Sequence, residues 1–416
     1  MLPEAPGAMQ NRRVVTRVPH AVTRRHWRVL WKLTVGLTAL MVLFALLVRE
    51  VPWFGPWFAN SLRSLLGADA VTQLEQLGAS LEDHAKRVFR GRQAPRSLDE
   101  MRPGVPLANA PERAPEPSDV PSFRPQDVGA MGRRVAATND GIWRAVADPA
   151  RPTARPLLFE TMLHPDEKRS WAEVFVVAAD VAELELYAVA GTIEPEATTR
   201  EGVAAERNGL IPRERVPALV LAFNGGFMTR HGRHGMHVAG LTLVSPQPRL
   251  CTLLGLEDGQ LMIGTWSSLA NEVAPASSDG NLRFWRQTAP CMYEHGVINP
   301  LLRDEDTRNW GATLEGKVVI RRSAIGLNPE RSIVFVAVSN DTTAHAMAEA
   351  MHHAGASDVA QLDVNWSYPK ILIFPIGADG RRYARGLFEG FLFSDDDYIR
   401  QPSRRDFFYL VRREPK

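Results

Sequence analysis

Ala218-Leu219-Val220-Leu221-Ala222-Phe223-Asn224-Gly225-Gly226-Phe227 is an apolar run that ends in an amide and two glycines. An uncharged stretch of this length, bounded by a turn signal, suits a buried strand. The glycines suit the point where the strand runs out. They admit positive φ and let backbone approach a ligand closely, while an Asn amide both donates and accepts hydrogen bonds. Taken alone, the same residues also read as a plain turn between strands.

The flanking sequence carries more strands of this kind. Ala172 to Ala179 is near-continuous in apolar residues, as a fully buried strand is, and Leu184 to Val189 alternates as a half-buried one does. Gly240–Val244, Gln260–Ile263, Lys317–Ile320, Ile333–Val338 and Ile371–Pro375 add to the count. One helix is clear, from about Thr343 to Ala354. Asp341 or Thr342 is the expected cap, Met347, Ala350, Met351 and Ala354 make one face, and Gly355 ends it. Many strands and few helices in irregular order predict an α+β domain, with a mixed sheet-rich body over residues 134–416.

The N-terminal third has a different character. Arg12, Arg13, Arg17, Arg24, Arg25 and Arg28 crowd residues 1–28, where Glu4 is the one acid. From Val29 to Val48 run about 20 mostly apolar residues, enough to cross a bilayer core of ~30 Å with Lys32 reaching to the headgroups. Trp53, Phe54, Trp57 and Phe58 come next, at interface depth. The positive-inside rule then puts residues 1–28 in the cytoplasm and exports the chain beyond the span, periplasmic or extracellular. A cleaved signal peptide is the alternative, although Val51-Pro52-Trp53-Phe54 is no small-x-small site. Residues 49–90 read as a juxtamembrane amphipathic segment broken at Gly67 and Gly78. Residues 91–133, rich in Pro, read as a disordered linker.

A net charge of +2 gives no electrostatic case for nucleic acid, and two cysteines exclude a cysteine-rich zinc module. Cys251 and Cys291 each sit among apolar residues. A disulfide and two small buried hydrophobes both fit.

Three motifs stand in an order that matters. Asn224-Gly225-Gly226-Phe227 comes first, then Arg322-Ser323-Ala324-Ile325-Gly326, then Leu362-Asp363-Val364-Asn365. Together with Val238-Ala239-Gly240-Leu241, Asp258-Gly259 and Pro290, this set resembles the phosphodiester glycosidase domain family over roughly residues 172–374. The resemblance implies hydrolysis of a sugar–phosphodiester bond; no cofactor or metal is expected. Where the family reads Leu-Asp-Gly-Gly-Gly-Ser, this chain has Leu362-Asp363-Val364-Asn365-Trp366-Ser367, with bulk in place of glycine.

The resemblance makes Asp363, Arg322 and Asn224 the expected catalytic set. Asp363 would serve as base, nucleophile or electrostatic stabiliser. Arg322, just before a strand, would hold the phosphate with its planar fork. Asn224 would position substrate, and Glu294 or Asp180 could supply a second carboxylate. Gly225, Gly226, His237, Asn365 and Trp366 are the expected substrate-binding residues, Trp366 by stacking on a sugar face. His231, His234 and His237 are spaced for a zinc site, but Arg230 and Arg233 would repel a cation, so a basic loop for an anionic polymer fits better. The expected partners are a sugar-phosphate or polysaccharide substrate and, through the N-terminal helix, the membrane. A non-catalytic polysaccharide-binding or export-assisting module is the alternative.

Overall fold

The computed structural model describes residues 83–91, 93–101, 123–132, 134–147, 155–271, 280–303, 308–311, 319–365 and 367–413, with Gly78 and positions 31–37, 39, 40 and 43. The chain forms two units, Met1–Val71 and Thr72–Lys416. In the first, the described positions are helical and exposed. Among the described residues no helix is long and apolar enough to cross a membrane. The basic tail at residues 1–28 and most of the expected span lie outside the described residues, as does Trp366.

The second unit is built on three sheets. The largest has eight strands in the order β1 (Arg144–Ala145), β2 (Leu158–Leu163), β3 (Val174–Asp180), β14 (Ile333–Thr342), β13 (Ile320–Leu327), β15 (Asp358–Gln361), β11 (Tyr293–Glu294) and β12 (Val297–Ile298). A five-stranded sheet runs β7 (Leu241–Val244), β6 (Met236–Val238), β10 (Leu282–Thr288), β8 (Cys251–Leu256), β9 (Leu261–Thr265). The other runs β17 (Arg385–Gly386), β16 (Ile371–Ile373), β5 (Leu219–Asn224), β18 (Phe407–Arg412), β4 (Leu184–Val189). The paired strands are antiparallel, and with few helices the domain is α+β.

The apolar runs are continuous because the large sheet is covered on both faces. Successive side chains alternate sides of a strand. Phe175, Val177, Ile325, Leu327, Val336 and Val338 point toward the two smaller sheets, meeting Leu221, Phe223, Leu253, Ile263, Phe284 and Phe408. Val174, Val176, Ala178, Ala324 and Ala337 point the other way, onto Met347 and Met351 of the helix Ala344–His353. That helix is capped by Thr343, whose hydroxyl accepts from Ala346 N at 3.1 Å, and not by Asp341 or Thr342. Asp341 and Thr342 are the last residues of β14, which runs further than its apolar stretch suggests.

Residues 93–101 and 123–132, assigned by composition to the linker, pack on this body. Leu98 and Met101 are buried in the core, Arg96 makes a two-pronged pair with Glu173 at 2.9 and 2.7 Å, and Phe123 lies edge-on to Phe159. The helical residues 83–90 dock by charge, Asp83 on Arg169 and Lys86 on Asp341. The packed body thus begins well before Arg134. An extended Pro-rich chain still lends single side chains to a core, which an average over composition hides. Cys251 and Cys291, both buried, are joined in a disulfide.

Candidate active site

β5 is the middle strand of its sheet, flanked by β16 and β18, and Asn224 lies opposite Phe407 at the end of it. Burial there is complete, and the amide works as a fastener between sheets. Its Nδ2 donates to Ser323 Oγ of β13 at 2.8 Å and to Gly225 O at 3.1 Å, and its Oδ1 accepts from Lys370 N at 3.2 Å. Ser323 Oγ in turn donates to Asp363 O at 2.8 Å, and Asp363 N donates to Gly225 O at 3.0 Å. Asn224 and Asp363 are therefore brought together, with Asn224 holding the backbone and facing no solvent.

The two glycines make room for a carboxylate. A Cβ on Gly225 would stand 2.1 Å from Asp406 Oδ2, and Gly226 N donates to that same oxygen at 2.9 Å. Asp406 is closed from below by Arg286, Nε at 2.8 Å and Nη2 at 3.1 Å, with both side chains nearly inaccessible. The remaining Arg286 hydrogens reach the carbonyls of Phe227, His234 and Gln287. A buried guanidinium with its donors satisfied is what makes such a charge tolerable.

Asp363 comes after β15, at the turn where the glycine-poor loop begins. Its Oδ1 accepts from Asn365 N at 3.0 Å, and its Oδ2 meets Arg405 Nη1. Asn365 Oδ1 then accepts from Ser367 N and Oγ, so side-chain carbonyls shape a loop that glycines shape in the resembled family. Arg405 is 17% exposed in its side chain, lies over the Tyr368 ring at 4.9 Å, and gives Nη2 to Met228 Sδ at 3.2 Å. Burial pushes the Arg405 guanidinium down, but the charges of Asp363, Tyr368 and Glu194 and the hydrogen bond to Asp363 together leave it above its ordinary value. Tyr368 OH donates to Asp406 O at 2.8 Å, and burial, then the Asp406 charge, holds that phenol well above its usual range.

Arg322 is elsewhere. It lies inside β13 and not before it, and alternation sends it to the helix side of the large sheet, away from Ser323. Its Nε donates to Thr342 O at 3.1 Å and its Nη1 to Gln361 Oε1 at 3.0 Å. The side chain is fully buried, and that burial pushes its pKa down to about 9. His237 also faces away. It pairs with Trp285 across β6 and β10, and stacks on it, whereas the Arg286 that serves the site is one register step along, on the opposite face. His234 is the imidazole that approaches, tilted on Phe227 at 5.5 Å, and His231 stays exposed, so the three rings do not converge. Among the described residues no cluster of His, Cys, Asp and Glu is placed to hold a metal.

Neither expected second carboxylate is at hand. Glu294 gives both oxygens to Thr265, and Asp180 sits opposite Ile333, at the far end of β14 from the Val338 that faces Ser323. Arg405 and Asp406 belong to none of the three motifs. The available signal was Arg404-Arg405-Asp406 standing directly before the apolar run Phe407–Val411, charges at the mouth of a buried strand.

No family model and no curated protein matches this chain. Among solved structures it is similar to the auto-inhibited zebrafish N-acetylglucosamine-1-phosphodiester alpha-N-acetylglucosaminidase catalytic domain, at 13% identity and a TM-score of 0.39, over 65% of this chain and 88% of that one. A hypothetical protein from Synechocystis is similar at 11% identity, with a TM-score of 0.33, and 63% and 65% of the two chains covered. A protein from Burkholderia pseudomallei gives 12%, 0.28, and 58% and 74%. Identities this low with TM-scores below 0.5 carry no argument about what this chain does.

Proposed function

We propose that this chain is a membrane-anchored glycosidase that hydrolyses glycosyl phosphodiester bonds in an envelope polysaccharide, glycolipid or wall polymer. The observation that carries the reading is the Asp363–Arg405 pair beside the end of β5, in which the arginine side chain keeps 17% of its surface exposed. A phosphodiester keeps a negative charge at physiological pH, and a guanidinium fixed by a carboxylate offers it preset donors. Asp363 has both oxygens engaged, by Asn365 N and by Arg405, so its part is to hold and orient the cation. Arg405 takes the phosphate role first given to Arg322. Breaking the anomeric C–O bond leaves a phosphate with a second negative charge, and Arg405 would stabilise it as it develops.

The same engagement of Asp363 favours one other reading, a cleft that binds an anionic glycan without cleaving it. The full chain in detergent, incubated with a panel of sugar-phosphate diesters, separates the two. Free reducing sugar supports hydrolysis. Saturable binding with no sugar released supports the binding module instead.

A further inference from the structure

We propose that Glu194 is the general base of this site, taking a proton from the water that attacks the anomeric carbon. The inference rests on the glycosidase reading above and supplies the carboxylate that Asp363, with both oxygens engaged, does not.

Glu194 is held against the bend before β18 that carries Arg405. Its backbone N donates to Arg404 O at 2.8 Å, Ile193 N donates to the same carbonyl, and Thr192 N donates to Ser403 O. The side chain turns toward the glycine loop, where Oε2 accepts from Thr229 N at 2.9 Å and from Glu196 N at 3.1 Å. Thr229 is the neighbour of Met228, whose sulfur rests on Arg405. The residue is only 5% exposed, yet among the described residues Oε1 takes no hydrogen bond. Its charge is felt by Arg405 and by Arg207, whose Nη1 donates to Pro195 O at 2.7 Å. One guanidinium thus stands in the field of two carboxylates. Asp363 is bonded to it, and Glu194 keeps an uncommitted oxygen.

That division of labour fits a single displacement. The water oxygen bonds to the anomeric carbon as its proton passes to Glu194 Oε1. The carbon–oxygen bond to phosphorus breaks, and its electron pair leaves with the phosphate oxygen. The products are a free sugar, a dianionic phosphomonoester facing Arg405 and a protonated Glu194, so charge balances on both sides. Inverting glycosidases use one carboxylate in this way to activate water.

The test exploits the two oxygens of Glu194. In Glu194→Gln the amide oxygen still accepts from Thr229 and Glu196, so the loop and the melting temperature should hold. Turnover should fall by about 100-fold or more, the usual weight of a general base, with little change in KM. In Glu194→Ala, added azide should restore consumption of substrate and yield the glycosyl azide, because an anionic nucleophile needs no base. Full turnover by Glu194→Gln overturns the assignment while leaving the glycosidase reading intact. So does loss of turnover in step with loss of folded protein and no azide product from Glu194→Ala. A wild-type chain that releases no sugar from any diester removes both readings.

Discussion

Asp406 joins three things at once: the turn of Gly225 and Gly226, the buried Arg286, and through its own carbonyl the Tyr368 hydroxyl beneath Arg405. Removing one partner of such a pair leaves an uncompensated charge in the interior. Arg286→Met should therefore destabilise the fold by about 3–5 kcal/mol, read from urea melts. A change under about 1 kcal/mol, the weight of an ordinary exposed pair, would mean the two side chains do not clamp the turn. His234 gives a second prediction at this scale. Burial first, then the charges of Arg286 and His231, push its pKa down to about 3 from an ordinary 6.5. Below pH 6.5 the unfolded chain binds a proton that the folded one refuses, so stability falls with acidification from there toward pH 3. His234→Phe should flatten that slope in melts taken from about pH 7 to about pH 4. An unchanged slope would place the acid sensitivity in another group.

At the scale of elements, the disulfide ties the start of β8 to the segment after β10, 40 residues apart. Closing a loop of that size restricts the unfolded chain by roughly 4 kcal/mol in the entropy model. Cys251→Ala with Cys291→Ala should lower the unfolding free energy from denaturant melts by a comparable amount, and equal free energies would show the link contributes nothing. Strands such as Val174–Asp180, Leu184–Val189 and Leu219–Asn224 were legible because apolar content and alternation are local properties. β2 and β10 went unread, since in Leu158–Leu163 and Leu282–Thr288 buried Glu160, Arg283, Arg286 and Gln287 break the apolar pattern. Arg283, Arg286 and Gln287 are satisfied by distant partners, and distance in sequence hides them. The site divided the same way. Asn224, Gly225 and Asp363 could be found as motif residues, whereas Arg405 reaches Asp363 across 42 positions and Arg286 reaches Asp406 across 120. Arg322 misled because one step along a strand reverses the side a residue faces.

For the whole molecule, the proposed topology is N-terminus inside and body exported, argued from six arginines before the apolar run and aromatics after it. A reporter active only outside the cytoplasm, fused after the final residue, should be active, and neutralising Arg12 through Arg28 should abolish the orientation bias. Recovery of the full chain in the soluble fraction without detergent would refute the anchor and with it the envelope substrate. The disulfide accords with an oxidising compartment.

The most direct test of the account compares sugar release by the wild-type chain and by Arg405→Met on the same panel of sugar-phosphate diesters. Arg405 is the cation that Asp363 orients, so the wild type should release sugar and Arg405→Met should lose about 100-fold or more at equal folded fraction. Equal release by the two proteins would contradict it.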